Sequence, residues 1–166
     1  MRHQPKRDGK YYLSAAAGAV LVLILLPIVL PFLASWGTAR WVKGLLLTWR
    51  FRRFWGRMGR VAVLVYSDSP HWKDHIEASV LPRVADRVVT VNWSRRSDWR
   101  RNKPIEVRIF EHWAGEHEFN PMAIVVPRRG EVFTFRFWAA FRDLKHGKPE
   151  ALQEMEARFV AAVEAA

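Results

Sequence analysis

The sequence predicts an α/β protein in which an N-terminal transmembrane helix precedes a small domain with a mixed β-sheet. The first observation is a run of twenty-nine uncharged residues from 11 to 39. The second is a series of short apolar runs and helical patterns beyond residue 60, in the order β-α-β-(α)-β-β-α. The predicted segments are a basic tail (1–10), a transmembrane anchor (11–39), a basic-aromatic juxtamembrane helix (40–60) and a small α/β domain (61–166).

The uncharged run is long enough for an anchor, because about 20 apolar residues cross a bilayer as a helix. It exceeds the apolar core of roughly 7–15 residues in a secretory signal, which is the alternative. Pro27 and Pro31 predict a kink and leave open one bent span or a re-entrant hairpin. The flank at 40–60 contains more Lys and Arg than the flank at 2–10. This difference favours a cytoplasmic domain on a single-pass membrane protein.

The basic charge is concentrated in the first third of the chain. The net charge is +11, yet residues 1–60 contain eleven of the 27 basic residues and one of the 16 acids. The remaining 106 residues therefore carry about +1, which disfavours a nucleic-acid-binding domain. The chain has no cysteine, so disulfides and thiol catalysis are excluded.

Residues 48–60, "TWRFRRFWGRMGR", mix arginine with large aromatic side chains. Beside a membrane span this mixture is typical of contact with an anionic leaflet, which makes membrane lipid the first predicted partner. Nucleic-acid binding and packing of the aromatic rings against the domain are the alternatives. The predicted membrane-interface residues are Trp41, Trp49, Arg50, Arg52, Arg53, Phe54, Trp55 and Arg57.

The domain begins with an apolar run, "VAVLVY" (61–66), which predicts a buried strand. The following "SDSP" predicts a helix start, with Ser67, Asp68 or Ser69 as the capping residue and a bend near Pro82. The later elements are a second strand at 87–93, a segment at 105–113 that fits either a strand or a helix, an antiparallel hairpin formed by "MAIVV" and "VFTFRFW", and a helix at 149–165.

This order resembles the thioredoxin-like fold over residues 61–163. "VAVLVYSDSPHW" is similar to that family's first core strand and active-site helix, and "NPMAIVVPRRGEV" is similar to its cis-proline strand and hairpin. The resemblance implies that Pro121 occupies the cis-proline position, with a structural or peptide-docking role. The family's Cys-x-x-Cys motif is replaced by "SDSPHW", so the resemblance implies a domain without dithiol-disulfide exchange.

Two groups of side chains suggest chemistry or binding. His71 and His75 are four residues apart and, with His112 and His117, are candidate ligands of a metal-dependent hydrolase, although their spacing matches no zinc signature. No catalytic residue, metal site or cofactor is therefore assigned. The second group lies within "WSRRSDWRRNK" (93–103) and contains Arg95, Arg96, Trp99, Arg100 and Arg101. These residues, together with Pro121, are the candidate partner contacts.

The sequence thus favours a non-enzymatic interaction or assembly module, held at a membrane and binding an unidentified protein partner. A metal-dependent hydrolase and a nucleic-acid-binding membrane protein are the alternatives. A solvated loop is the alternative to a partner contact at 93–103.

Overall fold

The computed structural model describes residues 9–100, 103–115 and 120–166. Side chains are described at 24–27, 29, 31, 35–99, 103–115 and 120–166. The chain divides into two compact units, residues 1–43 and residues 44–166. The sheet and all the elements that position the candidate site belong to the second unit.

The longest element is a helix of 46 residues, α1 (Gly9–Phe54), which contains Pro27 and Pro31. The re-entrant hairpin is therefore not formed. No helix in the described part of the chain is both long enough and apolar enough to cross a membrane. This finding contradicts the predicted transmembrane anchor at 11–39 and the predicted single-pass membrane location. The uncharged run is not a separate apolar element, because the same helix continues into the arginine-rich residues up to 53.

The described residues of the second unit form four strands and five further helices. The strands are β1 (Ala62–Tyr66), β2 (Val88–Asn92), β3 (Met122–Val125) and β4 (Phe133–Arg136). The helices are α2 (Lys73–His75), α3 (Leu81–Val84), α4 (Ile105–Ala114), α5 (Trp138–Lys145) and α6 (Glu150–Glu164). Short 3-10 turns cover Gly56–Met58, Ala85–Arg87, Trp93–Arg95 and Asp98–Arg100, and a π-helical turn covers Ile76–Val80.

The four strands form one mixed sheet in the order β2-β1-β3-β4. Strands β1 and β2 are parallel, with Val63 opposite Val89, as expected for a short helical crossover. Strand β3 is antiparallel to both β1 and β4. Gly130 has a φ of +87°, which glycine adopts without steric cost in the turn between β3 and β4. The predicted mixed α/β sheet is confirmed.

Both faces of the sheet are buried at its central strands β1 and β3, whereas β4 is largely exposed. Alternate residues of β1 point to opposite sides, so that Leu64 and Tyr66 join one apolar cluster while Val63 and Val65 join another. The first cluster contains side chains from α3, α5 and α6. The second contains side chains from α4 and from residues 47–51 of α1. The sheet therefore lies between two helical layers.

Two helical segments differ from the sequence prediction, and a third decides between its two alternatives. The helix expected after "SDSP" contains a π-helical turn just before Pro82, which has no N–H to continue an α-helical ladder. The ambiguous segment at 105–113 is helical and forms α4. Helix α5 was not predicted, although Phe137, Ala140, Phe141 and Leu144 follow a helical spacing.

Candidate functional site

Asp68 connects the carboxyl ends of β1 and β2. The Asn92 side-chain amide donates to both Asp68 carboxylate oxygens at 3.1 and 3.2 Å, and the Asp68 backbone N–H donates to Ser94 Oγ at 3.0 Å. Lys73 Nζ lies 2.9 Å from the same carboxylate. Hydrogen bonds from Lys73 and then from Asn92 hold the pKa of Asp68 below its ordinary value. Asp68 is therefore ionised, and its hydrogen bonds to Asn92 and Ser94 join the ends of the two strands.

Residues 67–72, between β1 and α2, make hydrogen bonds with one another. Trp72 Nε1 donates to the buried Ser67 Oγ at 3.1 Å, and the His71 N–H donates to Ser69 Oγ at 3.4 Å. The first α-helical residue is Lys73, whose preceding residue Trp72 makes no side-chain cap. Ser69, one of the three predicted capping residues, accepts from the first turn through Oγ and through its carbonyl, which binds the Lys73 N–H at 3.0 Å. Ser67 serves to fix the Trp72 ring.

Tyr66, at the end of β1, extends this network. Its hydroxyl donates to Glu77 Oε1 at 3.1 Å. Burial, followed by the hydrogen bond to Glu77 and its negative charge, raises the pKa of Tyr66 to about 12. The phenol is therefore neutral at physiological pH and acts as a hydrogen-bond donor.

The segment from Trp93 to Trp99 forms a rigid aromatic platform. The Trp93 ring packs edge-on against Trp99 and Phe110, with centroids 5.6 and 5.5 Å apart, and Phe110 is fully buried. The Arg96 guanidinium lies over the Trp93 ring at 5.4 Å. Arg95 and Arg96 are exposed, whereas Trp99 is half-buried and serves as an anchor rather than as an exposed contact. The side chain of Arg100, and Arg101 altogether, lie outside the described residues.

Residues 48–60 divide into structural and exposed side chains. Phe51 is completely buried in the second apolar cluster. Arg52 donates from Nε to the Pro127 carbonyl at 2.7 Å and from Nη2 to the Gly130 carbonyl at 2.9 Å. Arg60 donates from Nη1 to the carbonyls of Ala85 and Val88, the second at 2.8 Å. Packing against the domain, one of the three alternatives for this stretch, therefore explains part of it.

The exposed side chains of the stretch line a groove of 660 Å³ beside the N-terminus of α4. Trp55 is fixed in this groove by a hydrogen bond of 3.0 Å from its Nε1 to Glu106 Oε2. The lining residues are Trp49, Arg50, Arg53, Phe54, Trp55, Arg57, Pro104, Ile105 and Glu106. Trp41, the remaining predicted interface residue, is an exposed side chain of the first unit.

A second pocket, of 300 Å³, lies between the start of α2 and helix α5. It is lined by His71, Trp72, Trp138, Phe141, Arg142, Leu144 and Lys145. The Arg142 guanidinium lies over the Trp138 ring at 5.3 Å. The sequence did not indicate this pocket, because five of its seven residues lie on α5, which was not predicted.

The histidines do not form one site in the described part of the chain. His75 Nε2 lies 2.5 Å from the buried Glu156 Oε1, whereas His71 is exposed. His112 packs on Trp113 at a ring distance of 4.4 Å. His117 lies outside the described residues. Within the described ranges, no group of three or more His, Asp or Glu side chains is arranged to hold a metal ion.

Pro121 is buried immediately before β3, and its peptide bond with Asn120 is cis. Its carbonyl accepts a hydrogen bond of 3.0 Å from the Phe137 N–H. The backbone hydrogen bond from Phe137 therefore connects Pro121 to the residue that follows β4.

Comparison with known proteins returns no match. No family model fits the chain, and no curated protein or solved structure is significantly similar to it. The functional argument therefore depends on the geometry of the described residues.

Proposed function

We propose that residues 44–166 form a non-redox interaction module of thioredoxin-like order that binds an acidic surface of a partner protein through Arg95 and Arg96. The observation that carries this proposal is the aromatic platform of Trp93 and Trp99 on Phe110. A rigid support lowers the side-chain entropy that an interface must lose on binding. Arginine is also a frequent energetic centre of protein interfaces.

The strand order and the position of Pro121 support the thioredoxin-like part of the proposal. The parallel β1–β2 pair and the antiparallel β3–β4 hairpin match the expected element order. The absence of cysteine from the chain supports a module without dithiol chemistry. At the start of α2, the hydroxyl of Ser67 is occupied by the Trp72 indole, which supports a structural role for this segment.

The local charges favour a protein over a nucleic acid as the partner. Arg95 and Arg96 are accompanied by the carboxylates of Asp68 and Asp98, and Arg95 itself lowers the pKa of Asp68. A phosphate backbone attracts extended basic surfaces and is repelled by carboxylates among them. An acidic protein surface can place separate carboxylates on the two arginines and uncharged groups beside Asp68 and Asp98, and planar guanidiniums bind such carboxylates in bidentate geometry.

Site-specific photocrosslinking in cells tests this proposal. A photoreactive amino acid replaces the exposed Ser97 in the full-length chain, and the same amino acid at the exposed Ser79 serves as the position control. We expect a discrete protein adduct from position 97 that position 79 does not give. The adduct should disappear in the Arg95→Glu/Arg96→Glu variant and persist in the matched Arg83→Glu/Arg158→Glu variant.

Two results would contradict the proposal. One is the absence of any adduct specific to position 97 when the variant protein is folded and present at the wild-type level. The other is a specific adduct that survives reversal of Arg95 and Arg96, because the contact would then not depend on their charge.

A further inference from the structure

The C-terminal part of α1 is apolar on two opposite sides. Within residues 44–54, Leu47 and Phe51 face the second apolar cluster of the domain. On the other side, Leu45, Leu46 and Trp49 are 50%, 57% and 58% exposed. A surface helix normally presents polar residues to solvent, and exposed large apolar side chains in one patch mark an interaction surface. The domain covers one side of this helix and leaves the other uncovered.

The exposed side leads into the 660 Å³ groove, which combines apolar walls with cations. Trp49 and Phe54 are more than half exposed there, and the Arg53 guanidinium lies over the Trp49 ring at 5.6 Å. Arg50 and Arg57 also line the groove. Among the described lining residues, Glu106 is the one acid, and it already accepts the Trp55 indole N–H.

We infer that this groove binds an acidic peptide segment of a partner protein, with one large apolar side chain inserted beside its carboxylates. The apolar walls provide the pocket for that side chain, and three guanidiniums against one hydrogen-bonded carboxylate provide the charge complementarity. The volume lies within the range of roughly 300–1,000 Å³ that is usual for ligand pockets. Arg95 and Arg96 do not line the groove, so this site is distinct from the surface in the proposed function.

The groove is open to solvent, and a peptide side chain fits it better than the surface of an anionic bilayer does. A bilayer is locally flat and makes its contacts with projecting side chains, whereas a groove admits a side chain from a narrow partner. The fixed position of Trp55 on Glu106 also keeps one wall of the groove in place. A preformed wall reduces the ordering that peptide binding would require.

Peptide selection on the full-length protein tests this inference. A random dodecapeptide library is selected on the wild type, with counter-selection on the Arg50→Glu/Arg53→Glu variant. We expect enriched peptides that combine Asp or Glu with Trp, Phe or Leu. Their affinity should fall roughly tenfold or more in the charge-reversed variant and in a Trp49→Ala/Phe54→Ala variant. It should stay unchanged in Arg83→Glu/Arg158→Glu, which carries the same change in net charge at exposed positions outside both surfaces. Binding is measured in Arg95→Glu/Arg96→Glu as well, to report on the other surface.

The other occupants are tested in the same experiment. Vesicles of phosphatidylcholine with phosphatidylserine, and a single-stranded oligonucleotide, are titrated against the same five proteins. Vesicle or oligonucleotide binding that needs Arg50 and Arg53, without enrichment of acidic peptides, would overturn the inference in favour of that occupant. Failure to enrich any peptide over the counter-selection would also overturn it. Loss of peptide binding only in Arg95→Glu/Arg96→Glu would assign the binding to the other surface.

Discussion

Arg52 Nε donates to the Pro127 carbonyl over 2.7 Å and thereby connects the end of α1 to the segment between β3 and β4. Its Nη2 donates to the Gly130 carbonyl in the same segment. Arg53, the next residue, is exposed and lies over Trp49. Adjacent arginines in one basic stretch therefore have different roles, one in the fold and one on the surface.

The first prediction compares these two arginines. Arg52→Ala leaves two backbone carbonyls without their guanidinium donor, so we expect a loss of about 1–3 kcal/mol in the free energy of unfolding. Arg53→Ala should change that free energy by no more than about 0.5 kcal/mol, as is usual at exposed positions. Urea unfolding of both variants measures the difference. Equal effects of the two substitutions would contradict the structural role of Arg52.

The second prediction concerns the aromatic residues of the same stretch. Phe51→Ala removes a completely buried ring, so we expect a loss of about 3–5 kcal/mol in unfolding free energy. Phe54→Ala removes a ring that is 53% exposed, so we expect a much smaller loss. Thermal and urea unfolding of the two variants tests whether residues 44–54 belong to the cooperative unit. A Phe51→Ala protein with wild-type stability would show that they do not.

The third prediction separates His71 from His75. His75→Ala removes the partner of the buried Glu156 carboxylate, and we expect a loss of about 1–3 kcal/mol in unfolding free energy. His71→Ala should have little effect, because His71 is exposed. The same urea titrations measure both. If both variants lost stability equally and recovered it when zinc was added, the histidines would act together as metal ligands, contrary to their separation in the structure.

The fourth prediction concerns alkaline pH. The pKa of Tyr66 is raised from 10.0 to about 12, so the folded state binds the phenolic proton more tightly than the unfolded state. The stabilisation by Tyr66 is therefore complete below pH 10 and is lost as the pH rises from 10 towards 12. The stability difference between the wild type and Tyr66→Phe should shrink over that range. A constant difference between pH 9 and pH 11.5 would contradict the raised pKa.

Much of the domain fold could be predicted because its strands are continuous runs of apolar, mostly β-branched residues. Residues 61–66 and 122–126 are buried on both faces of the sheet, which is the environment that such runs indicate. The hairpin also followed from the Pro127 and Gly130 turn signals. The transmembrane prediction was wrong, because no helix in the described part of the chain is long and apolar enough to cross a membrane.

The candidate site could be predicted less well, because sequence does not distinguish an arginine that binds backbone carbonyls from one that faces solvent. Arg52 and Arg53 are adjacent residues of the same type, so the sequence does not distinguish them. Arg52 binds the segment between β3 and β4, which is distant from it in sequence. Trp99 lies among charged residues in sequence, yet its ring packs on Trp93 and Phe110. The pocket beside α5 could not be predicted, because the first residue of that helix, Trp138, was included in the predicted strand "VFTFRFW".

Arginine footprinting is the most direct test of the claim that Arg95 and Arg96 bind a partner. An arginine-selective dicarbonyl reagent is applied to the purified full-length protein and to native cell extract, and modification is read at each arginine by mass spectrometry. The proposal predicts that Arg95 and Arg96 react in the purified protein and are protected in the extract, while the exposed Arg83 and Arg158 react equally in both. Equal modification of Arg95 and Arg96 in both samples would contradict the proposed function.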